Sequence, residues 1–187
     1  MLPFYLVPDL KFDIIQAQKY YDTVKDQDWN MKYGEDANIH MWEIDNTVPF
    51  LAEFLDTLQN PNWIIKTEFF RVPANSVLPG HIDSGRKVAI NIPIVGYFNQ
   101  TSLDTYDVSH LINDDTVDRS GAKGFDGKGK LISQVYYNVP VLVNTSIPHG
   151  TTNKTDQDRV IVSISYSDKV NIGILIRSML ANEFYKR

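Results

Sequence analysis

Apolar side chains recur at helical spacing in three parts of the chain, two in the first sixty residues and one near the end. The three stripes are Ile14, Ala17, Tyr21 and Val24; Val48, Leu51, Leu55 and Leu58; and Ile172, Leu175, Ile176, Met179 and Leu180. Because residues three and four apart share one face of a helix, each stripe predicts an amphipathic helix, the last over about 171–184. Asn46 or Thr47 is the expected N-cap of the second helix, since Pro49 suits a first helical turn.

Between these helical regions the pattern changes to short runs rich in aromatic and β-branched residues. The five runs cover residues 63–72, 88–95, 131–137, 139–143 and 160–166. Clusters of Pro, Gly and Asn separate them, and several runs alternate apolar with polar residues, as strands with one buried face do. A further short strand is expected at residues 39–44. The polar, Gly- and Asp-rich residues 98–130 predict a lid, a binding loop or a partly disordered segment, and we expect this segment to select the substrate.

The whole chain of 187 residues therefore predicts a single α+β domain. Its expected parts are a helical region over residues 1–60, a core of mainly antiparallel sheets over about 63–166, and the terminal helix. Hydrophobic residues make up 43% of the chain and charged residues 22%, which is typical of globular proteins and excludes a disordered or fibrous chain.

Charge and cysteine content exclude several classes of function. The chain has 18 basic and 23 acidic residues, a net charge of −5, so we expect no nucleic-acid partner. There is no cysteine, which excludes disulfides, thiolate zinc sites and iron–sulfur clusters. No apolar run approaches the roughly 18 residues of a membrane span, and residues 1–9 lack a basic leader. We therefore expect a cytoplasmic protein without a membrane partner.

A histidine and an aspartate two positions apart are the first candidate for chemistry. His81 and Asp83 close the segment Leu78-Pro-Gly-His-Ile-Asp83. On an extended segment, side chains at i and i+2 point to the same face, so both can reach one metal ion. The pair alone is a weak signal, because a hydrogen-bonded pair in a surface turn after Pro79 and Gly80 has the same pattern.

A second histidine and a later arginine give that pair its context. His149 follows an apolar strand, and Arg159 begins the last strand, where it shares one face with Ser163. Two histidines and one carboxylate form a facial triad, which leaves metal positions open and suits non-haem iron(II) with oxygen. Arginine has the fork geometry to bind a carboxylate. Together these residues predict an oxo-acid on the iron whose far carboxylate is held by Arg159, although a turn histidine and a strand-edge arginine are the structural alternatives.

These motifs resemble those of the iron(II)- and 2-oxoglutarate-dependent oxygenases, and most of all their aspartyl/asparaginyl β-hydroxylase-like branch. The matching pieces are Leu78-Pro-Gly-His-Ile-Asp83, Val88-Ala-Ile-Asn-Ile-Pro-Ile94, and Asn144-Thr-Ser-Ile-Pro-His149 with Arg159 after it. The resemblance implies a double-stranded β-helix (jelly-roll, cupin-like) core with flanking helices. It also implies that His81, Asp83 and His149 bind iron(II), that Arg159 binds the C5 carboxylate of the cosubstrate 2-oxoglutarate, and that O2 is consumed.

Further cosubstrate contacts are expected at Asn91, Ser163 and Arg86. Asn91 stands where the branch has a histidine near the cosubstrate. Ser163 faces the same way as Arg159, and Arg86 closely follows the His81 segment, although a backbone-bonded hydroxyl and a solvated arginine are equally ordinary roles for them. His110, in the polar segment, is a candidate substrate contact.

The resemblance implies hydroxylation of an amino acid, a peptide or protein side chain, or a small metabolite. An intact Asp83 fills the position that a halide would need, which favours hydroxylation over halogenation. Two alternatives stay open: a non-catalytic cupin-like binding domain, and a zinc hydrolase, since the same donors suit catalytic zinc. The sequence lacks the usual His-Glu-x-x-His of a zinc hydrolase, and that interpretation leaves Arg159 without a role. A monomer and a homodimer are both compatible with the sequence.

Overall fold

Two antiparallel sheets form the centre of the molecule. The computed structural model describes residues 2–31, 39–96, 98–109, 125 and 129–186. Eleven strands lie in this part of the chain: β1 (Phe4–Leu6), β2 (Asn30–Met31), β3 (His40–Glu43), β4 (Ile64–Val72), β5 (Ser76–His81), β6 (Val88–Val95), β7 (Thr101–Asp107), β8 (Lys130–Tyr136), β9 (Val141–Asn144), β10 (His149–Asn153) and β11 (Arg159–Tyr166). The larger sheet has the order β1-β9-β6-β11-β4-β3-β2, and the smaller has the order β5-β10-β7-β8.

Three helices accompany the sheets in the described chain: α1 (Ile14–Val24), α2 (Pro49–Thr57) and α3 (Ile172–Leu180). All three predicted helices are therefore confirmed. The α1 helix is capped by Asp13, whose carboxylate accepts from the backbone N–H of Gln16 at 2.9 Å. In α3 the amide oxygen of Asn171 accepts from Ile174 N–H at 3.1 Å. No helix among the described residues is both long and apolar enough to cross a membrane.

Two predicted helix boundaries are wrong. The N-cap of α2 is Val48, not Asn46 or Thr47, and its extended backbone is the conformation that a following proline imposes. The Thr47 hydroxyl instead donates to Asp45 at 2.8 Å. The α3 helix ends at Leu180 rather than near residue 184. Just beyond it, Asn182 has a positive φ of 55°, a left-handed conformation that a right-handed helix cannot contain.

The alternation of residues along the central strands divides the interior into two compartments. On β11, Val160, Val162 and Ile164 face the apolar core, which packs against the helices. Their neighbours Arg159, Ile161 and Ser163 line a cavity between the sheets. Every residue of β11 is buried, because helices cover one face and the smaller sheet covers the other. The prediction that Arg159 and Ser163 share one face is confirmed.

The five predicted β-rich runs correspond to β4, β6, β8, β9 and β11, and the short strand predicted at residues 39–44 corresponds to β3. The helical assignment of residues 1–60 is only partly right, since β1, β2 and β3 lie there and join the larger sheet. Because β1 and β2 are only three and two residues long, they carry too little periodicity to be detected from sequence.

The assignment of residues 98–130 to one long loop is wrong at its beginning. The strand β7 covers Thr101–Asp107 and lies between β10 and β8 in the smaller sheet. Its polar sequence is typical of a loop. Asp104 is nevertheless buried in this strand, because neighbouring side chains donate hydrogen bonds to it. The hydroxyls of Ser102 and Thr152 donate to its carboxylate at 2.6 Å each, and Gln134 Nε2 donates at 3.0 Å. His110 lies outside the described residues.

Candidate metal centre

Two adjacent strands bring the candidate histidines together. His81 is the last residue of β5 and His149 is the first residue of β10, and the two are direct cross-strand partners. Their ring centroids are 4.5 Å apart. Asp83 follows β5 by two residues, and its backbone N–H donates to Thr145 O at 3.1 Å. Antiparallel pairing of two segments 68 positions apart therefore assembles the three side chains.

Backbone carbonyls set the tautomer of both rings. His81 Nδ1 lies 2.8 Å from Pro79 O, and His149 Nδ1 lies 2.9 Å from Ile147 O. A carbonyl oxygen can only accept, so each Nδ1 carries a proton, and in a neutral ring Nε2 then carries the lone pair. Each ring therefore presents a donor atom toward Asp83. This arrangement, with one ring nitrogen bonded to a carbonyl and the other exposed to a metal, is the usual one in protein metal sites.

The three candidate ligand atoms are spaced as ligands of one ion. His81 Nε2 lies 3.4 Å from Asp83 Oδ1, and His149 Nε2 lies 3.9 Å from Asp83 Oδ2. All the donor atoms fall within 4.8 Å of one another. Two ligands that are each about 2.1 Å from a metal lie roughly 3.0–3.4 Å apart at octahedral or tetrahedral angles. The donors thus lie at or beyond the ligand spacing and would draw closer together when one ion binds.

Electrostatics keep Asp83 and His149 in the protonation states that a metal requires. Burial would raise the pKa of Asp83, but its contact with His81 and the charge of Arg86 outweigh burial and hold that pKa well below its usual range. Burial is the main cause that lowers the pKa of His149, to about 4. An ionised carboxylate beside a neutral imidazole is the form in which both groups bind metals.

A buried arginine lies in the same cavity. Arg159 is 2% exposed and lines the cavity together with His81 and His149. Its Nη2 donates to the Tyr137 hydroxyl, and its Nη1 lies 3.4 Å from Thr151 Oγ1. Its Nε has no hydrogen-bond partner among the described residues. Burial lowers the pKa of Arg159 to about 9, while the charge of Asp104 acts in the opposite direction.

Aromatic rings enclose this guanidinium. Its central carbon lies 5.0 Å from the Tyr137 ring centroid and 5.5 Å from that of Phe98. Sequence reasoning missed Tyr137, Phe98 and Thr151. Thr151 had a signal, because it is two residues after His149 and so shares a face with it on β10. Tyr137 and Phe98 had none, since only the folding of β7 and β8 beside β10 brings them to Arg159.

The remaining predicted residues also line the cavity. Asn91 and Ser163 are cross-strand partners on β6 and β11. The Asn91 side-chain oxygen is buried without a partner in the described chain. Arg86 lies at the same cavity, where its Nε donates to Asp83 Oδ2 at 2.6 Å. The structure therefore brings together seven of the residues that the sequence singled out: His81, Asp83, Arg86, Asn91, His149, Arg159 and Ser163.

No protein-family model and no curated protein matches the sequence significantly. Solved structures match the fold. HygX from Streptomyces hygroscopicus, with nickel and 2-oxoglutarate bound, has a TM-score of 0.55 at 14% identity over 88% of this chain and 82% of HygX. A Pseudomonas putida prolyl-4-hydroxylase has a TM-score of 0.58 at 10% identity over 88% and 92%. This chain shares their fold. SnoN, a non-heme alpha ketoglutarate dependent epimerase from nogalamycin biosynthesis, matches with a TM-score of 0.57 at 14% identity over 89% and 78%.

Proposed function

We propose that this protein is an iron(II)- and 2-oxoglutarate-dependent oxygenase with a double-stranded β-helix core. One observation carries the proposal: a two-histidine, one-carboxylate donor set and a buried arginine with an unpartnered N–H line the same cavity. The shared fold supports it, since the HygX structures hold iron, or nickel with 2-oxoglutarate. The zinc-hydrolase alternative explains the donor set but not the arginine.

The donor set fits an iron(II) ion. His81 and His149 would bind it through Nε2 and Asp83 through a carboxylate oxygen, because these atoms converge and the pKa values of Asp83 and His149 are lowered. Three protein ligands on one side leave other positions for a chelating cosubstrate and for oxygen. When bound together, iron, 2-oxoglutarate and O2 supply the oxidising chemistry, and the protein contributes binding, orientation and the exclusion of water.

Arg159 would bind the far carboxylate of 2-oxoglutarate. A buried guanidinium with an unpartnered Nε–H is costly unless an anion enters, and its lowered pKa reports that cost. A dicarboxylate would offset the cost of burying the guanidinium, because one end would chelate the metal while the other would accept charge-assisted hydrogen bonds from the arginine. The hydroxyls of Tyr137 and Thr151 already orient the guanidinium and hold it in place.

Asn91 and Ser163 would contact the same cosubstrate from the wall formed by β6 and β11. The amide of Asn91 can turn its NH2 group toward a carboxylate, since the oxygen now buried there has no competing partner among the described residues. Apolar side chains complete the wall: Phe70, Leu78, Leu103, Val143 and Ile161. They exclude water, which strengthens every charge interaction in the cavity.

For the reaction itself we propose hydroxylation of an amino acid, a peptide or protein side chain, or a small metabolite, in the aspartyl/asparaginyl β-hydroxylase-like branch. The intact Asp83 supports hydroxylation, and the segment Val88-Ala-Ile-Asn-Ile-Pro-Ile94 supports the branch, although Asn91 stands where the branch has a histidine. The net charge of −5 is unsuited to nucleic acid.

The test is an anaerobic titration of the metal-free protein with iron(II) and 2-oxoglutarate, followed by absorption spectroscopy. We expect a weak charge-transfer band near roughly 500 nm, which the chelate of 2-oxoglutarate on non-haem iron produces and which oxygen bleaches. An Asp83→Ala variant should give no band. Arg159→Met should bind iron normally but need about tenfold or more 2-oxoglutarate, because a charge-assisted bond is lost.

A matched control is Arg177→Met, which removes an exposed arginine from α3. It should titrate like the wild type. Bound iron without the band in wild-type protein would reject the oxygenase and favour the hydrolase or the binding domain. A band whose 2-oxoglutarate dependence is unchanged in Arg159→Met would retain the metal site and reject the role of that arginine.

A further inference from the structure

The side chain of Arg86 joins the candidate metal carboxylate to the central strand of the larger sheet. Its Nε donates to Asp83 Oδ2 at 2.6 Å. Its Nη1 donates to Ser165 Oγ, on β11, and lies 3.4 Å from Ser163 Oγ. The backbone of Arg86 is held as well, because the Thr145 hydroxyl donates to its carbonyl oxygen at 3.1 Å. The guanidinium is thus fixed between two elements.

The contact with Arg86 gives the two Asp83 oxygens different partners. Oδ2 accepts a short, charge-assisted hydrogen bond from Arg86 and lies 3.9 Å from His149 Nε2, whereas Oδ1 lies 3.4 Å from His81 Nε2, at ligand spacing. The Asp83 side chain is 5% exposed and that of Arg86 is 17% exposed, so water competes little for this bond. The carboxylate therefore has one preferred orientation.

We propose that Arg86 is a positioning residue that holds Asp83 by Oδ2 and so presents Oδ1 to the metal. The inference rests on the metal site of the proposed function. Ligating carboxylates are commonly oriented by a hydrogen-bond partner, and loss of such partners typically weakens metal binding about 10- to 100-fold. Ser165 contributes to the same positioning, because its hydroxyl holds the far end of the guanidinium on β11.

Charge and positioning predict opposite changes in metal affinity. A guanidinium next to the site repels a divalent cation and draws electron density from the carboxylate, so its charge alone weakens binding. Its grip on Asp83 strengthens binding, because an oriented carboxylate loses no rotational freedom when the metal enters. The sign of the change in an Arg86 variant therefore tells the two roles apart.

The experiment is a titration of the full chain with cobalt(II), which has visible d–d bands that report ligand geometry. Arg86→Met should bind cobalt(II) about tenfold or more weakly, with an altered d–d spectrum. Arg86→Lys should lose less, since one ammonium can reach Asp83 or Ser165 but not both. Ser165→Ala should shift the affinity in the same direction by a smaller factor. The matched control is Lys87→Met, which removes an exposed charge from the same turn and should leave both affinity and spectrum unchanged.

The outcomes separate this inference from the proposed function. If His81→Ala binds cobalt(II) as tightly as the wild type does, the metal site itself is rejected. A metal-binding wild type with an Arg86→Met variant that binds cobalt(II) equally or more tightly would reject the positioning role alone. Thermal unfolding followed by circular dichroism checks that each variant folds. If Arg86→Met does not fold, Ser165→Ala carries the test, and wild-type affinity in that variant would overturn the proposal.

Discussion

Gly150 allows β5 and β10, which carry the two histidines, to approach closely, and replacing it with alanine should damage the candidate metal site. A Cβ atom at this position would lie 2.6 Å from Leu78 O and 3.2 Å from Pro79 O, both on β5. These are backbone atoms and cannot swing away. Gly150 also lies at the irregularity in the β5–β10 pairing, directly after His149. The strands must therefore separate to admit the methyl group.

The size of the displacement follows from these distances. Ordinary van der Waals contact begins at 3.4 Å, so the Cβ contact at 2.6 Å requires a shift of about 0.8 Å. A ligand set must be held within about 0.5 Å of its working geometry, so this shift exceeds the tolerance. We expect Gly150→Ala to lower cobalt(II) affinity about tenfold or more and to lower the free energy of unfolding by about 1–3 kcal/mol, the usual cost of overpacking.

The measurement is urea unfolding of the metal-free protein together with cobalt(II) titration of the folded protein. Gly173→Ala is the matched control, because its Cβ would meet first the side-chain oxygen of Asn171 at 3.3 Å, and alanine is the better helix former by up to about 1 kcal/mol. The control should be as stable as the wild type or more stable. A Gly150→Ala variant with unchanged stability and affinity would refute the steric reasoning, and lower stability with unchanged affinity would refute the link between strand spacing and ligand spacing.

Three further outcomes follow from the described contacts. Phe69→Ala should lower the free energy of unfolding by about 3–5 kcal/mol in urea, because this fully buried ring packs against Tyr20, Tyr21 and Trp29; a loss below about 1 kcal/mol would contradict that packing. Asp104→Asn should cost about 1–3 kcal/mol by the same assay, because the amide NH2 cannot accept from Thr152 or Ser102; the exposed Asp156→Asn is the control. The metal-free protein should lose stability as the pH falls from about 6.5 to about 4, since burial keeps His149 neutral in the folded chain while the unfolded chain takes up the proton; unfolding free energies that do not fall across this range would exclude that contribution.

The candidate site was largely predictable because its residues are chemically distinctive. Histidine and aspartate at i and i+2 imply a shared face wherever the segment is extended. His81 ends β5, and the Asp83 carboxylate, two residues beyond, lies 3.4 Å from its Nε2. Arg159 and Ser163 share a face of β11 for the same reason. The sequence did not predict the bond between Arg86 and Asp83, although the two are only three residues apart, because the bond depends on the shape of the turn between β5 and β6.

Polar side chains were the main source of error in the fold. The strand β7 reads Thr-Ser-Leu-Asp-Thr-Tyr-Asp, which has the composition of a loop. Its burial is affordable only because Asp104 receives hydrogen bonds from Ser102, Thr152 and Gln134. Two of these donors come from β8 and β10, so the stability of β7 as a strand depends on partners that local periodicity does not reveal.

Local rules thus account for the helices, the apolar strands and the donor groups of the candidate site. Helical and strand periodicity are properties of a few consecutive residues, and the donor atoms of histidine, aspartate and arginine are properties of single side chains. The tertiary structure decided which of these side chains meet. Pairing of β5 with β10 sets the spacing of His81 and His149, and the enclosure of Arg159 by Tyr137 and Phe98 requires both sheets. Such contacts join residues far apart in sequence, so they stabilise the fold only after the chain has closed the loops between them.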